Sequence, residues 1–104
     1  NPSELLMSPR LTQCFAAFAE RYDIVLIDTP PVLAVADASI IGAHAGFSLL
    51  VMRAGMHRNG EIAESLKRLR ASGVKVQGGI FNGMPQRARG GCYGYYAVRE
   101  YVNA

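Results

Sequence analysis

Tryptophan is absent, and the two cysteines, Cys14 and Cys92, are too few for a disulfide framework. A reducing, cytoplasmic setting is therefore expected. Long apolar runs are also missing: Arg21, Asp23, Asp28 and Asp37 interrupt the hydrophobic stretches well short of the ~18–20 residues that span a bilayer. No transmembrane helix is expected. The first residues, Asn-Pro-Ser-Glu-Leu-Leu, lack both an initiating Met and the basic-then-apolar layout of a signal peptide, which suggests a piece of a longer polypeptide. Charge of one sign is scarce as well, with 11 Lys plus Arg against 8 Asp plus Glu and a net charge of +3. Such a dilute excess does not demand a nucleic-acid partner. What the chain does have is 104 residues, half of them apolar, enough for one domain with a modest core. Disorder throughout is thereby excluded.

Local signals divide the chain into alternating helices and strands. Ser3 can cap a first turn, and Ser8 before Pro9 reads as an N-cap with proline at the first helical position. Leu11, Cys14, Phe15, Phe18, Ala19 and Tyr22 then recur at helical spacing, which predicts an amphipathic helix lying on a sheet. Ile24-Val25-Leu26-Ile27 is continuously apolar, as in a strand covered on both faces, and stops at Asp28-Thr29-Pro30-Pro31. Asp37 can cap a short helix closing near Gly46, and Ser48 to Met52 is a second buried strand. Asn59 can cap a third helix with Ile62, Leu66 and Leu69 facing inward until Gly73 ends it, and Val74 to Asn82 is the last strand. This order predicts an α/β fold, a three-layer parallel sheet with flanking helices. Residues 1–82 form the globular part; from residue 83 onward the composition shifts to Gly, Arg and Tyr without hydrophobic period, which predicts a flexible tail over 83–104.

Ligands of open parallel sheets bind beyond the carboxyl ends of the strands, so an acidic residue closing a buried strand marks the expected site. Asp28 is that residue. A carboxylate there can hold Mg²⁺ through water on nucleotide phosphates, or it can simply cap the following turn; the apolar run plus Asp leaves the two readings even.

The flanking sequence adds to this. Asn1-Pro2-Ser3-Glu4-Leu5-Leu6, then Tyr22-Asp23-Ile24-Val25-Leu26-Ile27-Asp28-Thr29-Pro30-Pro31-Val32-Leu33-Ala34-Val35-Ala36-Asp37-Ala38, and the tyrosine-rich end resemble the bacterial tyrosine kinases of capsule and exopolysaccharide export. The resemblance covers nearly the whole chain and implies the C-terminal part of a P-loop NTPase-like kinase domain. It further implies ATP and Mg²⁺ as cofactors, Asp28 as the catalytic and metal-site aspartate, and phosphorylation of tyrosines on neighbouring copies. The implied partners are other copies of the chain and a membrane adaptor region or protein, at the cytoplasmic side of the bacterial inner membrane, with no nucleic acid. Asn82, closing the last strand, resembles the asparagine that contacts the nucleotide base in related ATPases; a strand-terminating turn residue is an equal alternative.

Two departures qualify the resemblance. The Gly-rich phosphate loop ending in Lys-Ser or Lys-Thr is absent, since the only lysines are Lys67 and Lys75, and the second acidic strand motif is absent too. The fold is therefore expected to be incomplete, lacking the phosphate-loop strand. In the proteins it resembles, that strand lies between the strand ending at Asp28 and the strand Ser48 to Met52. Either those two close up, or another chain fills the gap.

Other residues have plainer readings. Asp37 is a helix cap in preference to a neighbour of the metal's water shell. His44 and His57 lack carboxylates or cysteines at ligand spacing and are read as surface or turn residues. Arg53 can meet phosphate or solvent. Tyr93, Tyr95, Tyr96 and Tyr101 crowd into the last twelve residues among glycines, where a packed core would not put them. They read as phosphorylation sites or as an aromatic arm for a partner. A fragment of a partition-type ATPase is the alternative within the fold; a small RNA-binding or adaptor module using Arg87-Ala88-Arg89-Gly90-Gly91 beside the tyrosines is the alternative from another class.

Overall fold

Ser8, in extended backbone (φ −75°, ψ 148°), and Pro9 start a helix where the sequence places it, because the missing proline N–H is one that no helix start can satisfy internally. In the computed structural model, which describes residues 2–86, this helix is α2 (Pro9–Arg21), preceded by the short α1 (Pro2–Leu6). Ser3 falls inside α1 rather than before it. The elements that follow are α3 (Asp37–Gly42), β1 (Ser48–Arg53), α4 (Asn59–Ala71) and β2 (Val76–Asn82). β1 and β2 pair in parallel, with Leu49 opposite Gly78 and Arg53 opposite Asn82, and α4 is their crossover. The fold is α/β, with a two-stranded parallel sheet among the described residues.

Residues 24–27 correct the expectation of a third strand. They carry no ladder pairing, and Ile24 and Leu26 are 86% and 94% exposed. A parallel strand exists only where a neighbour takes its N–H and C=O groups, and this segment faces β1 across an open groove instead of lying beside it. The apolar stripe of α2 is likewise uncovered: the helix packs on α1, Phe15 stacks obliquely on His44 at 5.7 Å between ring centres, and no α2 residue is buried. Cys14, predicted on a packed face, is exposed.

Cap positions shift by a residue or more. Asp37 is the first residue of α3, with Ala36 as N-cap, and α3 ends at Gly42 rather than near Gly46. Arg58, not Asn59, caps α4, because the Glu61 carboxylate accepts from the Arg58 N–H at 2.8 Å. Gly73 adopts φ 78° just past α4, as the sequence requires for a helix stop, and Val74 follows as a buried residue before β2 begins at Val76.

The buried core is small: Ala38 on α3, Leu69 on α4 and Val74, together with Ser65, whose hydroxyl donates to the Glu61 carbonyl at 2.8 Å. Gly42 permits this contact. A Cβ there would lie 3.0 Å from both Val74 methyls, so Gly42→Ala should lower stability by about 1–3 kcal/mol, read from the urea midpoint.

The β1–β2 register slips at its start, where Ser48 pairs with Val76 but Leu49 with Gly78, leaving Gln77 as the extra residue. Its side chain replaces the lost ladder bonds. Gln77 Oε1 accepts from Ser48 N at 2.7 Å, and its Nε2 donates to Gly46 O at 3.2 Å. Gln77→Ala should cost about 1–2 kcal/mol and speed amide exchange at Ser48.

Candidate nucleotide and metal site

Three chain segments converge at the carboxyl end of the sheet. The first is the turn after Ile27. Pro30 and Pro31 cannot continue a ladder, and the Pro31 carbonyl accepts from Ala34 N (3.1 Å) and Val35 N (3.4 Å), closing a tight turn. Arg68 of α4 reaches the Leu33 carbonyl at 3.4 Å while paired with Glu64 at 3.3 Å, which tethers the turn to the helix.

The second segment is the end of β1. Ala54 N donates to Asn82 O at 2.9 Å, extending the ladder by one bond, and Gly55 at φ 74° lets the chain fold back. Met56 and His57 N–H both meet the Arg53 carbonyl (3.2 and 3.3 Å), while the His57 Nδ1 accepts from Arg53 N at 2.8 Å. The third is the first turn of α4, with Glu61 committed to the Arg58 N–H.

Between these segments lies a cleft of about 600 Å³, lined by Asp28, Thr29, Leu50, Met52, His57 and Glu61 among others. Asp28 is exposed at its mouth and has no ion-pair partner among the described residues. No cluster of three or more His, Cys, Asp or Glu able to hold a metal occurs among the described residues. That donor set does not suit a cation caged by protein. It does suit Mg²⁺, which keeps most of its waters and takes one or two carboxylates plus substrate phosphates.

Asn82 stands apart from this cleft. It ends β2, exposed, with its own Oδ1 taken by the Gly83 N–H at 2.9 Å, and it lines neither this cleft nor the groove beside β1. Arg53 extends along Gly83, which turns the chain at a φ of 68° just past β2. The structure thus joins Asp28 to His57 rather than to Asn82. His57, expected as a surface or turn residue, lies four residues after the last residue of β1, across a Gly-containing turn, and that position is the signal for it. Tyr93, Tyr95, Tyr96 and Tyr101 lie outside the described residues.

No family model matches the chain. Relatives do. The tyrosine-protein kinase Wzc of Salmonella typhimurium is 50% identical over 97 residues, which is 92% of this chain and 14% of that protein. Among solved structures, the BceF tyrosine kinase domain is 64% identical over 82% of this chain and 35% of its own, with a TM-score of 0.74. By sequence and by fold, the chain is similar to a segment of the bacterial tyrosine-protein kinases. The kinase domain of the Escherichia coli tyrosine kinase ETK is 46% identical over 81% of this chain and 33% of its own, with a TM-score of 0.78. The chain therefore spans about a seventh of Wzc and about a third of each kinase domain. No helix among the described residues is long and apolar enough to cross a membrane.

Proposed function

We propose that this chain is the C-terminal, Asp28-bearing part of an ATP-dependent protein-tyrosine autokinase that regulates capsular or exopolysaccharide polymerisation and export. The observation that carries the reading is the exposed, unpaired Asp28 at the mouth of the cleft, on a chain half identical to tyrosine kinases. The complete domain is a three-layer, P-loop NTPase-like sheet of which this chain holds the part without the phosphate-loop strand.

Mg²⁺ bound with ATP would neutralise charge on the transferring phosphoryl group. Asp28 would orient the metal through its waters, the prolines after it shape the turn that lines the cleft, and the Arg68 tether limits the movement of that turn. Asn82, with its Oδ1 engaged, has its amide N–H groups left to meet a nucleotide base. The rest of the domain supplies the phosphate cradle.

Tyr93, Tyr95, Tyr96 and Tyr101 are the acceptors, offered to the site of another copy, at the cytoplasmic side of the bacterial inner membrane beside a membrane adaptor region or protein. Four phosphotyrosines would add roughly −6 to −8, taking the net charge from +3 to about −3 to −5. The sign reverses, so phosphorylation should loosen contacts made by the unmodified tail with acidic surfaces. Incubating the chain with an active ETK kinase domain, ATP and Mg²⁺, then mapping sites by mass spectrometry, tests this. Phosphate on the four tail tyrosines is expected. Modification confined to Tyr22, which is 55% exposed at the end of α2, or none at all, would refute it.

A further inference from the structure

We propose that Asn82 is a site of spontaneous covalent modification, at which the Gly83 nitrogen displaces ammonia from the side-chain amide and leaves aspartate or isoaspartate at the end of β2. The sequence holds two Asn-Gly pairs, Asn59-Gly60 and Asn82-Gly83. A glycine after asparagine leaves the chain free to fold onto the side chain, because no Cβ obstructs the approach. Both pairs share that local chemistry, and the structure separates them.

Asn59 and Gly60 are the first two residues of α4. The helix entry is fixed by the Glu61 carboxylate on the Arg58 N–H at 2.8 Å and by the Arg58 carbonyl, which accepts from Glu61 N and Ile62 N at 3.0 and 3.1 Å. Helical side chains tilt toward the N-terminus, away from the nitrogen that follows, so ring closure at Asn59 requires the first turn to open.

Asn82 is the last residue of β2 and Gly83 turns the chain at φ 68°, both exposed to water. Among the described residues the Gly83 N–H has one hydrogen-bond partner, the Asn82 Oδ1 at 2.9 Å. No ladder or loop carbonyl holds this nitrogen back, and its one bond sets the side-chain carbonyl group against it. The main-chain carbonyl of the same peptide group accepts from Ala54 N at 2.9 Å, which draws charge from the group and eases loss of the Gly83 proton. Arg53 adds to this. Its Cγ and Nε lie 3.5 and 3.6 Å from the point a Gly83 Cβ would occupy, so a guanidinium charge stands close to the nitrogen as it becomes an anion.

The step begins when hydroxide or a buffer base removes the Gly83 amide proton. The nitrogen attacks Asn82 Cγ, the Cγ–Nδ2 bond breaks, and Nδ2 takes up a proton and leaves as ammonia. Water then opens the five-membered imide. Attack at Cγ gives aspartate, and attack at the main-chain carbonyl gives isoaspartate. Either product puts a carboxylate beside Arg53 and adds one negative charge to a net charge of +3. Isoaspartate also turns the carbonyl that accepts from Ala54 N into a free carboxylate, which loosens the end of the ladder. If Asn82 meets a nucleotide base, a consequence that rests on the proposed function, its amide donors are lost in both products.

The experiment incubates the full chain at mildly alkaline pH, in buffer and in guanidinium chloride, and follows Asn82 and Asn59 by peptide mass spectrometry, with an isoaspartate-specific methyltransferase as second readout. In denaturant the two pairs should convert at comparable rates. In buffer Asn82 should convert at least about tenfold faster than Asn59. Asn82→Gln, whose ring would need six members, should abolish the product and leave Asn59 unchanged. Conversion of Asn59 in buffer as fast as that of Asn82 would overturn the proposal, as would an intact Asn82 in buffer after the denatured chain has fully converted. Neither readout involves nucleotide or phosphate transfer, so the result is independent of whether Asn82 meets a base.

Discussion

Purified alone, the chain should show no ATP turnover above a buffer blank and no phosphate transfer to tyrosine. Phosphoryl transfer leaves little covalent work for the protein, and rate comes from positioning and from charge set against the phosphate oxygens. Removing a single preorganised donor from such a site costs about 10²–10³-fold. This chain lacks the whole cradle: Lys67 lies within α4 and Lys75 just before β2, and neither follows a Gly-rich turn. Asp28, exposed in the cleft, is a carboxylate and cannot itself hold a phosphate in place. Activity should appear when the remainder of a kinase domain is supplied, and Asp28→Asn should then lower it by about 10²-fold or more, since metal-borne charge stabilisation contributes several kcal/mol. Turnover by the isolated chain that Asp28→Asn abolishes would contradict this reading.

Much of the architecture was legible because it is encoded locally. Ser8-Pro9 starts α2, Gly73 stops α4 through a positive φ, and the runs around Leu50 and Ile80 form strands because each has the other as neighbour. The segment 24–27 has an equally good strand sequence and is not one. Strand formation is a property of a pair, and no single-sequence pattern reveals that the partner is missing. The same reason hides the state of α2, whose stripe is well formed but faces no sheet. The sequence puts Asp28 at the end of an apolar run before two prolines, and the structure sets it in the wall of the cleft. His57 was not legible, because its role depends on the β1–α4 turn bringing an imidazole back onto the strand edge. Gln77 was hidden for a related reason: a bulge is a mismatch between two strands, and either strand alone looks regular.

Leu69→Ala should be the most damaging single truncation in the described part of the chain, lowering stability by about 2–5 kcal/mol. Leu69 is 6% exposed and, with Val74 at 3% and Ala38, makes up the buried apolar residues among the described ones. A domain of this size has roughly 5–15 kcal/mol in hand when its core is complete, and here much apolar surface is still open to water. The loss should therefore broaden or abolish the cooperative urea transition, followed by far-UV circular dichroism. Leu26→Ser supplies the contrast. At 94% exposure Leu26 stabilises little in the free chain, so its replacement should change the midpoint by less than about 0.5 kcal/mol. In a complete kinase domain, where the phosphate-loop strand is expected to fill the groove, Leu26 is no longer solvated, and the same substitution should cost severalfold more than in the free chain while Leu69→Ala disrupts both. Equal effects of Leu26→Ser on the free chain and on the complete domain would show that residues 24–27 remain outside the sheet even there.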